Sequence, residues 1–218
     1  MRTDPDLYYP RRAPEYEEIY RNPERQADLE LLRQEVPRLL AGQHVLEIAC
    51  GTGYWTQWIA PAAASVLATD LSPEVIEQAR EKTYPPDRVS FQLLDAYEPM
   101  VAPSRFDAVF AGFWWSHIPL DRLPRFLSDL RRRVGGGVLW VFLDNRYVEG
   151  SSIPIAREDD QGNTYQLRSL RDGSTFEVLK NFPSAATVRQ ILAADAEAVE
   201  VMELPFYWLA WGRTKETS

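Results

Sequence analysis

An apolar run breaks into two closely spaced glycines and then turns helical: Val45-Leu46-Glu47-Ile48-Ala49-Cys50-Gly51-Thr52-Gly53-Tyr54-Trp55-Thr56. A strand that feeds a Gly-x-Gly turn and a helix is the start of a strand–helix–strand unit. Glycine is needed there because the backbone must turn sharply and let a ligand approach with no Cβ in the way. A dinucleotide fingerprint wants a third glycine where this chain has Thr56. Glu47 also ends the strand with negative charge. That suits a cationic or amine-bearing ligand better than a pyrophosphate.

The same alternation continues downstream. Strands are expected at His44 to Ala49, Ser65 to Thr69, Val89 to Leu94, Phe106 to Gly112 and Val138 to Leu143, as short β-branched or apolar runs. Helices are expected at Gly53 to Ala60, after Ser72-Pro73, and where Leu120, Leu123, Phe126, Leu127 and Leu130 share one face. An earlier helix, opened by Asn22-Pro23, carries Leu29, Leu32, Val36 and Leu39, and Pro37 should kink or divide it. Alternating elements of these lengths imply an α/β fold with a parallel sheet covered on both faces. After Asp144 the pattern changes. Gly150 to Asn163 reads as loop, and Thr164 to Leu170 with Thr175 to Lys180 flank Asp172-Gly173, a hairpin turn pair. Pro183-Ser184 opens a further helix, and Ala198 to Leu204 with Tyr207 to Gly212 make two final strands. One domain over residues 1–218 is expected, with an N-terminal segment at 1–22 and a hairpin insertion at 150–182.

Carboxylates end three successive strands: Glu47, Asp70 and Asp95. Asp70, nineteen residues after Gly51, is placed to accept both hydroxyls of a ribose, and Asp95 to accept from an adenine amino group. The carboxyl edge is where open α/β sheets bind ligands.

On Glu47-Ile48-Ala49-Cys50-Gly51-Thr52-Gly53, Thr69-Asp70-Leu71-Ser72, Leu94-Asp95-Ala96 and Phe106-Asp107-Ala108-Val109-Phe110, the chain resembles the class I (Rossmann-like) S-adenosylmethionine-dependent methyltransferases of small-molecule type. The resemblance spans about residues 40 to 145 by motif and the rest by topology. It implies a seven-stranded sheet of order 3-2-1-4-5-7-6 with strand 7 antiparallel, and an N-terminal lid helix. It implies S-adenosyl-L-methionine as cofactor, S-adenosyl-L-homocysteine as product, and an acceptor plausible for secondary metabolism. It also implies roles: Glu47 organises the glycine loop and the methionine amino end, Gly51 and Gly53 lie against the cofactor, and Asp70 binds the ribose. Leu71 packs on adenine, Asp95 and Ala96 meet its edge, and the Phe113 backbone meets the methionyl end.

On the acceptor side, the fourth strand ends Ala111-Gly112-Phe113-Trp114-Trp115-Ser116-His117. The Asn/Asp-Pro-Pro-aromatic motif of the base-modifying methyltransferases is absent from it. Tyr8, Tyr9, Tyr16 and Tyr20, with Arg11 and Arg12, are candidates to close the pocket, and Trp55, Trp114 and Trp115 to wall it. Arg146 is a candidate to hold an acceptor carboxylate or phenolate. His117 is the candidate general base, because its ordinary pKa lies near neutrality. Asp144-Asn145 matches half of a metal-dependent catechol-type ligand set, but the first ligand is missing at Gly112 and Phe113, so no metal is expected. Cys50 reads as a small residue packed under the loop.

Composition narrows the partners. With 24 Lys+Arg against 32 Asp+Glu the net charge is −8, which disfavours a broad nucleic-acid surface. No apolar run reaches the ~20 residues of a membrane span. No secretory signal opens the chain, so a cytoplasmic address is expected, with a small-molecule acceptor and a monomer or homodimer as the working form. One cysteine and two histidines leave no disulfide framework and no multi-histidine metal site. Two other readings stand beside the enzyme: a non-catalytic S-adenosylmethionine-binding protein, and a nucleotide-cofactor oxidoreductase, which the absent third glycine and Glu47 disfavour.

Overall fold

The computed structural model describes residues 13–98 and 106–216. Among the described residues, ten strands make two sheets, and five α-helices accompany them. The strands of the main sheet are β1 (His44–Ile48), β2 (Ser65–Asp70), β3 (Val89–Leu93), β4 (Ala108–Gly112), β5 (Leu139–Asn145), β9 (Ala196–Glu203) and β10 (Tyr207–Thr214). Their order is β3-β2-β1-β4-β5-β10-β9. The first five are parallel, and β10 runs antiparallel to both neighbours. Since β9 and β10 are the sixth and seventh strands of this sheet, the order is the expected 3-2-1-4-5-7-6.

The central strands are apolar on both sides because helices cover both sides. Helix α1 (Gln26–Leu39), α2 (Tyr54–Ile59) and α3 (Pro73–Arg80) pack Leu29, Leu32, Val36, Ile59 and Ile76 with Val45, Val66, Phe110 and Val141. On the opposite face α4 (Leu123–Val134) and α5 (Ala185–Leu192) pack Phe126, Leu127, Leu130, Val188 and Leu192 with Leu46, Val109, Trp140 and Trp208. Successive residues such as Val45 and Leu46 thus enter different cores, as period two requires. Pro37 does not divide α1; the helix runs through it to Leu39. A proline this close to the end forfeits one backbone bond without interrupting the turns that matter.

The insertion after β5 is a three-stranded sheet rather than a hairpin. It comprises β6 (Ile155–Glu158), β7 (Thr164–Ser169) and β8 (Thr175–Leu179), in the order β6-β7-β8. The β7–β8 turn at Asp172-Gly173 is as expected, with Gly173 at φ +81°. Strand β6 lies within the stretch read as loop. All four of its residues are exposed, so it lacks the apolar alternation that marks a strand. The insertion is tied down at the end of β8: His117 Nδ1 lies 2.7 Å from the Leu179 carbonyl, the Asn181 N–H donates to the Ser116 carbonyl at 2.8 Å, and the Asn181 amide donates to the Ile118 carbonyl at 3.2 Å.

Of the N-terminal segment, a 3-10 helix covers Ala13–Arg21. Glu17 accepts from Thr52 Oγ1 at 2.8 Å and pairs with Lys82, and Glu18 pairs with Arg171. Tyr20 stacks on Tyr54 with ring centroids 3.5 Å apart. The segment therefore bridges the glycine loop and the insertion. Among the described residues, no helix is long and apolar enough to cross a membrane.

Candidate functional site

One cavity of about 850 Å³ opens along the carboxyl edge of the main sheet. It is lined by Gly51, Asp70, Leu71, Asp95, Ala96 and Tyr97, from the segments that follow β1, β2 and β3, and by Phe113, Trp114, His117, Arg122, Glu177 and Leu179, from the segment after β4 and from β8. The strand ends and the inserted sheet therefore share one space.

The glycine loop is built by left-handed backbone. Ala49, Gly51 and Gly53 have φ of +53°, +55° and +77°. Gly51 lines the cavity, and its N–H donates to Asp70 Oδ2 at 2.9 Å, while the Ser72 N–H donates to Oδ1 at 3.0 Å. Burial pushes the Asp70 carboxyl up, and the N–H groups of Ser72, Gly51 and Leu71 pull against that shift. Gly53 departs from the expectation that it faces a ligand. A Cβ there would lie 2.5 Å from the Tyr84 hydroxyl and 3.0 Å from Ala79 Cβ. It is required for packing on α3 and for its dihedral, not for approach to the cavity.

Glu47 is 1% exposed and accepts from Thr56 Oγ1 at 2.7 Å. Burial, with the Asp70 charge adding to it against the Thr56 hydrogen bond, raises its carboxyl to about 8. Its ordinary value is 4.5, so between those limits the folded chain holds a proton that the unfolded chain has lost. Stability must fall as pH rises through this window. Relative to Glu47→Gln, the native chain is expected to lose roughly 2 kcal/mol between pH 6 and pH 7.5, at ~1.4 kcal/mol per unit. Urea titrations at the two pH values measure it, and parallel losses in both proteins would exclude a buried neutral Glu47. Cys50 is buried, and burial together with Glu47 and Asp70 pushes its thiol up, away from thiolate chemistry.

Leu71 is 61% exposed at the cavity, an apolar side chain left open beside a carboxylate. Asp95 accepts from the Tyr97 N–H at 2.9 Å. Phe113 holds φ +60°, a conformation rare outside glycine. Its N–H donates to the Leu143 carbonyl at 2.6 Å, so a main-chain contact from Phe113 to a ligand must come from its carbonyl.

The residues after β4 separate into two groups. A 3-10 turn covers Trp115–His117, with Trp114 at its N-cap. In such a turn residues three apart lie on one side. Trp114 and His117 accordingly line the cavity, while Trp115, 2% exposed, enters the core against Phe142 and Trp208. Trp115 is therefore not an acceptor-binding residue. Trp55, 3% exposed, is likewise a core residue. Arg146 is also turned away: it donates to the Leu204 carbonyl at 2.6 Å and lies 3.6 Å from Glu203, at the β9–β10 connection. Arg122, at the start of α4, is the guanidinium that lines the cavity instead. Tyr9, with Tyr8, Arg11 and Arg12, lies outside the described residues, and Tyr16 lies in the 3-10 helix.

Asp144 has a role that the sequence did not reveal. It is fully buried, 2.8 Å from Lys180 Nζ, and it accepts from the Ser116 N–H at 2.9 Å and the Asn145 N–H at 2.7 Å. It anchors the insertion. Glu177, paired with Arg157, was also missed; it comes to the cavity on β8.

A family model described as "Methyltransferase domain" matches residues 45–137. The magnesium-protoporphyrin O-methyltransferase of Rhodobacter capsulatus is 30% identical over 50% of this chain and 49% of its own length. The ubiquinone biosynthesis O-methyltransferase of Thiobacillus denitrificans is 28% identical over 77% of this chain and 70% of its own length. The chain thus spans from about half to 70% of these two relatives. The DhpI–SAH complex aligns with a TM-score of 0.75 and 31% identity, covering 97% of this chain and 95% of that one. The DhpI-SAM-HEP complex gives 0.74 and 30%, covering 94% of each. Identity of this level held across nearly the whole of a solved cofactor complex, together with the 3-2-1-4-5-7-6 strand order, means that the chain belongs to the class I S-adenosylmethionine-dependent methyltransferases.

Proposed function

We propose that this chain transfers the methyl group of S-adenosylmethionine to a nitrogen or oxygen atom of a small aromatic or heterocyclic acceptor. The observation that carries the reading is the continuity of the cavity from the acidic strand ends, Asp70 and Asp95, to the aromatic wall of Phe113 and Trp114. The donor set suits the cofactor. A carboxylate braced by two backbone N–H groups can take ribose hydroxyls, the open Leu71 offers a face to adenine, and Gly51 leaves room beside them. Asp95 and Ala96 meet the adenine edge. The Phe113 carbonyl serves the methionyl end, and Glu47, buried behind the loop on Thr56, organises the loop itself. The two curated relatives described above are named O-methyltransferases, which supports oxygen as the reacting atom.

The bound cofactor supplies a methyl group already activated by its sulfonium. The protein's part is to place the acceptor in line and to keep water out. The N-terminal segment, fastened by Glu17 to Thr52 and Lys82, is suited to covering the site. His117 is assigned as the base where the acceptor must lose a proton. With Nδ1 donating to the Leu179 carbonyl, the neutral ring carries its lone pair on Nε2.

Formation of S-adenosylhomocysteine over a panel of phenols and heterocyclic amines tests the reading. Cofactor binding without product from any of them would instead favour a binding protein. With a phenolic acceptor, His117→Ala is expected to lower kcat about a hundredfold near neutral pH. Turnover left intact across the pH range would remove His117 from the mechanism.

A further inference from the structure

The outer strand of the inserted sheet runs along the cavity with Glu177, Val178 and Leu179. Glu177 pairs opposite Leu167 and Leu179 opposite Tyr165, so all four share one face of that sheet. The Glu177 side chain is only 10% exposed. Arg157 grips it with two bonds, Nε to Oε2 at 3.0 Å and Nη2 to Oε1 at 2.6 Å. The guanidinium lies 3.6 Å over the Tyr165 ring, and the Tyr165 hydroxyl donates to Asp159 at 3.0 Å.

This clamp fixes the plane of the carboxylate. A bidentate arginine uses one acceptor site on each oxygen, and each oxygen keeps another. As a stabilising device the pair contributes little, since the Arg157 side chain is 44% exposed and water screens the attraction. Its position gives it another use. The carbonyl of Leu179, two residues on, holds His117, so the clamped carboxylate and the assigned base belong to one wall.

We infer that Glu177 orients the acceptor, accepting a hydrogen bond from an O–H or N–H group on it other than the one that gives its proton to His117. Glu177 thereby selects ring compounds that carry a second donor over those that carry only the reacting one. Arg157 is the positioning residue. The inference rests on the methyl-transfer reading of the same cavity and adds the group that reads the acceptor.

The test uses two fluorinated probes, 4-fluorocatechol and 4-fluorophenol, titrated by fluorine NMR into the full chain with S-adenosylhomocysteine present. The native chain is expected to bind the catechol at least about tenfold more tightly, as a hydrogen bond to a charged acceptor allows. Glu177→Gln places an amide donor at one of the two oxygens and should bring the ratio to within about threefold. Affinity for 4-fluorophenol and for S-adenosylhomocysteine should not change, which a general loosening of the fold would not permit. Arg157→Met should give an intermediate ratio. A native ratio near one, a Glu177→Gln ratio equal to the native one, or no binding of either probe would each overturn the inference. The cofactor-product titration separates the two readings: if it binds and the ratio is absent, only the role of Glu177 falls; if it does not bind, both fall.

Discussion

Asp70→Ala is expected to weaken S-adenosylmethionine binding by about two orders of magnitude. A hydrogen bond to a charged group contributes about 1.5–3 kcal/mol, and a ribose offers two hydroxyls to one carboxylate. The carboxylate also holds the loop itself, through the N–H groups of Gly51 and Ser72. The substitution therefore removes both the ligand contact and the brace that keeps Gly51 in its left-handed conformation. Asp70→Asn keeps one acceptor oxygen and should lose about tenfold. Titration calorimetry on the two variants measures both effects. If Asp70→Ala bound the cofactor like the native chain, the cofactor could not lie on this edge of the sheet.

Asp70 was legible because parallel strands put their ends on one edge, and the strands themselves were legible. Val45-Leu46, Val66-Leu67-Ala68 and Ala108-Val109-Phe110-Ala111 put apolar residues on successive positions, which is the mark of strands covered on both faces. Gly51 and Gly53 look alike in the sequence, yet one faces the cavity and the other faces Ala79 and Tyr84. Spacing cannot distinguish them, because the difference depends on where α3 packs. Trp114 and Trp115 pose a similar problem with a clearer answer. The chain leaves β4 in a 3-10 turn, so Trp114 goes with His117 and not with the alternate residue.

Long side chains were the least legible. Arg146 follows β5 closely, but its reach takes it to the Leu204 carbonyl. Glu177 gave no sign at all. It sits in an insertion whose β6 strand is exposed along its length, and only the packing of β8 against the 3-10 turn brings it to the cavity. Asp144-Asn145 did stand out as a pair, but the sequence could not show the cation that meets it thirty-six residues later.

That cation, Lys180, carries the second large expectation: Lys180→Met should destabilise the chain by about 3–5 kcal/mol, the range for removing one partner of a buried ion pair. Lys180 and Asp144 have side chains 5% and 0% exposed. The ammonium lies 2.8 Å from Asp144 and 2.5 Å from the Ser116 hydroxyl. Methionine keeps the stem of the lysine and fills the same space, so the loss reports on charge. Asp144 would keep the N–H groups of Ser116 and Asn145 but would have no counter-charge in a site closed to water. Adding Asp144→Asn should recover at least half of the loss, since the amide is neutral and still accepts from one of those N–H groups. The same contacts join the end of β8 to β5 and to the Trp115–His117 turn, so the single variant should also loosen the wall that carries His117, Leu179 and Glu177. Affinity for S-adenosylhomocysteine should hold, because Asp70 and the glycine loop take no part in these contacts. Urea denaturation of the single and double variants, with cofactor-product titrations alongside, separates these effects. A double variant no more stable than Lys180→Met would mean that lost packing, and not an uncompensated Asp144, had unseated the inserted sheet.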